Sequence, residues 1–169
     1  MGETLPLFKA TFNRSVQIES RPEHLTGEAG ALIQREIMDR LGIIDWLGEH
    51  LHDARDASRV TYPLADLLRT HLLLLGQGWR DQDDADRLRD DPALRVAQSS
   101  CRGQTPLAEG QVLASQPTLS RLVENLSSDD NRAVLRQAIT ETAMRRIRMT
   151  NQGRKRKTLT LDVDSLPVE

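Results

Sequence analysis

The chain has 169 residues, of which 28% are charged, 38% hydrophobic and only 3% aromatic, with a formal net charge of -2. That is enough for one domain, or for a helical domain plus the start of another, with a core drawn mostly from Leu, Ile, Val and Ala. A uniformly basic nucleic-acid binder is excluded, and the single Cys101 rules out an internal disulfide or a Cys-based zinc site.

Met1–Thr11 lacks an apolar secretory region and the longest apolar run is Leu72–Leu75, so no membrane span and a cytoplasmic location are expected. Charge is unevenly spread. Asp81–Asp91 is acidic, whereas Arg145–Lys157 holds seven Lys or Arg and no acid, and local charge is what a DNA phosphate feels.

Phe8, Phe12, Val16 and Ile18, set among polar residues, predict a short extended arm or hairpin inside an arm covering residues 1–24. Leu32, Ile33, Ile37, Leu41 and Ile44 recur at helical steps. Gly42 should end or kink that helix, with a second short one over Ile43–Leu51. Pro63 suits the first turn of a central helix whose broad apolar face is Leu64, Leu67, Leu68, His71, Leu72 and Leu75. Gly76 and Gly78 end it. Trp79–Asp90 reads as an acidic helix with Ala85 and Leu88 inward, and Pro92 opens a short helix through Ala97. Gln98–Gly110 reads as a loop. Gln116 starts a helix running to about Leu126, and Ser127–Asp130 caps a last one, roughly Asp130–Met149, with Leu135, Ile139, Ala143 and Ile147 on one face.

After Arg154–Lys157, residues Thr158–Ser165 alternate strictly, which is a strand pattern. Leu159, Leu161 and Val163 share one face; Asp162 and Asp164 lie together on the other. Two adjacent carboxylates call for water, a cation or a basic partner.

Several patterns stand in a fixed order: Gly78-Trp79-Arg80-Asp81, Leu88-Arg89-Asp90-Asp91-Pro92, Leu113-Ala114-Ser115-Gln116-Pro117-Thr118-Leu119-Ser120-Arg121, and Leu161-Asp162-Val163-Asp164-Ser165. In order and spacing the chain resembles the DDE transposases of bacterial insertion sequences, specifically the insertion-sequence thirteen-eighty group, from about Leu25 onward. The resemblance implies a mostly α fold: a helical DNA-binding region over residues 25–153, then the first β-strand of a ribonuclease-H-like catalytic domain over residues 154–169. It implies a sheet whose two Asp and one Glu hold two divalent ions, Mg²⁺ or Mn²⁺. It assigns the first catalytic, metal-holding Asp to Asp164, with Asp162 as the alternative on the same face. The family's hydroxyl residue two places later is Leu166 here. The second Asp and the Glu are not found, so the chain is expected to be a truncated transposase that binds no ion tightly and transfers no strand.

The implied partner is double-stranded DNA at terminal inverted repeats, with self-association as a further option. Gln116, Thr118, Ser120 and Arg121 occupy the opening turns of a helix, where base-reading side chains are placed; the plainer reading is a capped packing helix. Arg154, Lys155, Arg156 and Lys157 suit phosphate contact. Arg145–Arg148 are equally explained as cations opposing their helix dipole. A stand-alone helical DNA-binding regulator and a helical interaction module are the competing readings.

Overall fold

The computed structural model describes residues 8–18, 27–100 and 112–151. Among these, helix dominates, as expected. The first element is a hairpin, β1 (Phe8–Lys9) and β2 (Gln17–Ile18), antiparallel with Phe8 opposite Ile18. Its turn is set by buried Asn13, whose Oδ1 accepts from the N–H and the hydroxyl of Ser15 at 2.9 and 2.7 Å. So short a hairpin is marginal alone. It is held to the helices by the Thr11 N–H, which donates to Glu36 Oε2 at 2.7 Å, and by the Arg35 guanidinium 4.8 Å above the Phe12 ring.

Helix α1 (Gly30–Leu41) ends at Gly42, whose φ of 59° lets its N–H reach the Met38 and Asp39 carbonyls. Helix α2 (Ile43–His50) starts directly after it. The expected apolar stripe on α1 is corrected in part. Ile33 and Ile37 stay 50% and 48% exposed, while Arg35 and Glu36 are buried beside Ala31, Met38 and Leu41. The physical reason is that both charges find partners. Arg35 donates to Asp39 Oδ1 (3.0 Å), Ala97 O (2.6 Å) and Ser99 O (3.1 Å); Glu36 accepts from Arg40 at 2.6 Å and from Thr11. Buried charges persist when paired in this way. Burial alone would push the Glu36 carboxyl up, but the Arg40 and Thr11 hydrogen bonds outweigh it and the net shift is downward.

Helix α3 (Leu64–Gly76) is central, packing on α1 and α2 and on two later helices. Leu67, Leu68, Leu73 and Leu74 point inward, whereas Leu75 turns out. His71 is half-buried, and burial pushes its pKa down. The expected helix over Trp79–Asp90 is shorter: only α4, Asp83–Arg87, is helical, with Ala85 buried. Gly78 sits at φ 94°, and the Asp81 carboxylate accepts the Asp83 N–H at 3.0 Å. Such local side-chain bonds compete with helix. Helix α5 (Pro92–Gln98) is capped by Asp91, whose carboxylate accepts the Leu94 N–H at 2.9 Å, and packs on α1 and α3.

Helix α6 (Gln116–Leu126) turns Leu119 and Leu122 inward. Helix α7 (Asp129–Asn151) is the longest described, and its expected face is corrected in part, since Leu135 packs on the core as expected. Ile139 is 74% exposed and Ala143 is exposed, whereas Asn131 and Ala138 are buried. Asn131 decides this rotation. Its Oδ1 accepts the His52 N–H at 2.8 Å, and its amide donates to His52 O (3.0 Å) and Asn125 O (2.9 Å). Arg145 donates to the Leu41 and Gly42 carbonyls at 2.9 and 3.0 Å. It caps the end of α1 rather than its own helix.

Candidate nucleic-acid interface

The opening of α6 is a set of local bonds. Pro117 needs no donor in the first turn, and the Ser115 and Thr118 hydroxyls lie 3.1 Å apart. The Gln116 side-chain amide donates to Ser120 Oγ at 3.0 Å. The Gln116 backbone N–H donates to the Asp86 carboxylate of α4, also at 3.0 Å. A carboxylate thus already sits at the positive end of this helix, which discourages a phosphate there. Gln116 and Ser120 are turned to each other within α6, an i,i+4 pair on the helix surface. Arg121 differs. It is exposed and makes no hydrogen bond or ion pair among the described residues.

Arg121 stands where two hollows meet between α6 and the connector from α2 to α3. The first is lined by Ala54, Arg55, Glu124, Asn125, Ser127 and Ser128 as well as Arg121. The second, of about 390 Å³, has Val60, Tyr62, Leu67 and Leu122 as apolar walls and Arg55, Arg59, Thr118 and Arg121 around them. The three arginines are matched in number by Asp53, Asp56 and Glu124, so what favours an anion here is how each arginine is held rather than net charge.

Each arginine is held differently. Arg55 lies against Asp53 in a two-pronged pair, Nε to Oδ1 at 2.8 Å and a terminal nitrogen to Oδ2 at 2.6 Å; its other terminal nitrogen donates to Tyr62 O at 3.0 Å. The Arg55 hydrogen bond holds the Asp53 carboxyl below its ordinary range, and Asp53 raises Arg55 in return. Arg59 approaches Asp56 only at 3.7 Å, with both side chains exposed. Such a pair contributes little. Asp56 instead caps the 3-10 turn Ala57–Arg59, accepting from the Ser58 N–H and hydroxyl at 3.0 and 2.7 Å.

The structure therefore brings Thr118 and Arg121 to one groove. Arg55, Arg59 and Tyr62, which complete that groove, were not singled out from the sequence, where the signal is two arginines in the connector between α2 and α3. Arg154, Lys155, Arg156 and Lys157, the candidate catalytic Asp162 and Asp164, and the strand around those two lie outside the described residues. Arg145 is occupied at α1, leaving Arg146 and Arg148 as the exposed cations of the α7 end.

For metal, the described residues offer no donor set: no group of three His, Cys, Asp or Glu among them could hold an ion. His50 is turned to the Trp46 carbonyl at 2.8 Å with its ring stacked on the indole, and His52 uses its backbone to meet Asn131. No helix among the described residues is long and apolar enough to cross a membrane.

A family model for the transposase DDE domain, group 1, matches residues 8–168. The chain belongs to that family. No curated protein and no solved structure matches it. Transposases of this family generally bind DNA and use divalent metal ions. The matched stretch takes in both the helical residues around the groove and the Asp162–Asp164 segment.

Proposed function

We propose that this transposase-family chain recognises the double-stranded terminal inverted repeats of an insertion sequence of the thirteen-eighty group and serves DNA transposition. The family match over residues 8–168 carries the reading. The division into an arm (1–24), a helical DNA-binding region (25–153) and the start of a ribonuclease-H-like domain (154–169) belongs to it. Arg121 and Arg59 contact phosphates at the groove, and Arg154–Lys157 extend that contact beyond α7. Asp164, or Asp162 beside it, is the first catalytic carboxylate, and divalent ions supply the activation of the attacking oxygen when the full set of acids is present. Two carboxylates are too few for such a centre, so a polypeptide of these 169 residues should bind without cutting.

The test is a footprint. DNA flanking the coding sequence is searched for inverted repeats and digested in the presence of the protein. Protection confined to the repeats is expected. Uniform cleavage, with binding that ignores the repeats, would overturn the reading in favour of a general DNA-binding or interaction module.

A further inference from the structure

The hollow of about 390 Å³ beside α6 lies within the range of small-molecule sites, about 300–1,000 Å³, and is walled on one side by Val60, Tyr62 and Leu122. A row of phosphates has no use for apolar walls. Arg55 is also unsuited to phosphate: all three guanidinium nitrogens have protein partners in or near the plane, and Asp53 balances the charge. Those bonds hold the guanidinium by its edges, while the side chain, 30% exposed, lines the hollow. A flat, charge-balanced cation beside apolar walls is a stacking surface for a nucleobase. Arg121, shared by both hollows and unpaired, is placed to meet the phosphate of the same nucleotide.

From this we infer that the hollow receives one unpaired nucleobase of the bound DNA, stacked on Arg55, with its phosphate on Arg121. A base still inside a duplex cannot enter, so the site selects DNA with a frayed, mismatched or single-stranded nucleotide. The inference rests on the DNA-binding reading and deepens it.

The experiment compares a blunt duplex with the same duplex carrying a short single-stranded thymidine extension, by fluorescence anisotropy with the full chain. The extension should tighten binding by roughly tenfold, the scale of one stacked base. Val60→Trp, which fills the hollow, should abolish that gain while blunt-duplex affinity is kept, and Arg55→Lys, which keeps charge but loses the plane, should bind the extended duplex no more tightly than the blunt one. Thermal melts check that each variant folds, and Val60→Trp leaves the Arg55–Asp53 pair intact should Arg55→Lys disturb it. Equal affinity for the two DNAs, or a gain that survives Val60→Trp in a folded protein, overturns the inference while leaving the DNA reading standing. Salt-insensitive or absent binding of both DNAs overturns the DNA reading as well.

Discussion

Asn131→Ala tests how the groove is held together. Asn131 is buried at the start of α7 and makes three side-chain hydrogen bonds, one accepted from the His52 N–H and two donated, to His52 O and Asn125 O. After truncation His52 O keeps the Asn125 side-chain amide at 3.0 Å, and Asn125 O keeps the Ser128 N–H at 3.4 Å. The His52 N–H alone loses its partner. Three bonds of about 0.5–1.5 kcal/mol each, with His52 open to rescue by water, give a cost of about 2–3 kcal/mol. Asn131→Asp keeps the acceptor for His52 N–H but turns an oxygen toward two carbonyls, so it should cost at least as much. Urea unfolding reads this directly as a lower midpoint at unchanged slope. A loss below about 0.5 kcal/mol for Asn131→Ala, or wild-type stability for Asn131→Asp, would refute the reasoning. Because the same bonds tie the 52–62 connector to α6 and α7, DNA affinity should fall with Asn131→Ala as well.

Three further outcomes follow from the packing. Ile139→Ser should change stability by less than about 0.5 kcal/mol because the side chain faces solvent, whereas Leu119→Ala should cost about 2–5 kcal/mol; denaturant melts compare them. Gly42→Ala should cost about 1–2 kcal/mol, since the position is left-handed and a Cβ there would lie 2.9 Å from an Arg145 nitrogen. Burial lowers the folded-state pKa of His71, so the unfolded chain binds its proton first. Its contribution is complete above the ordinary histidine pKa of about 6.5 and is lost as pH falls from there toward the lower folded value. His71→Gln should flatten the stability–pH curve in that window.

Much of the fold was legible where backbone chemistry is local. Gly42, Pro63, Pro92 and Pro117 mark helix boundaries that depend on a neighbour or two, and α6 begins and ends where its sequence says. The faces of α1 and α7 were not legible. Arg35 and Asn131 are buried through partners 62 to 79 residues away, Ala97, Ser99 and His52. Hydropathy periodicity scores such residues as solvent-facing because their partners are distant in sequence. The same blindness hid the groove. Arg55 reads as a loop cation until Asp53 and the Tyr62 carbonyl are seen around it, and nothing in the sequence marks the bond from the Gln116 backbone N–H to Asp86, 30 residues away.

The account's central claim is duplex DNA binding through Arg121 and its neighbours. The most direct measurement is the affinity of the full chain for blunt duplex DNA across salt concentrations, for wild type and Arg121→Glu. With about five phosphates contacted, log affinity should fall against log salt with a slope of about -4 to -5, and the variant should bind more weakly with a slope shallower by about 1. A flat salt response, or an Arg121→Glu variant indistinguishable from wild type, would contradict it.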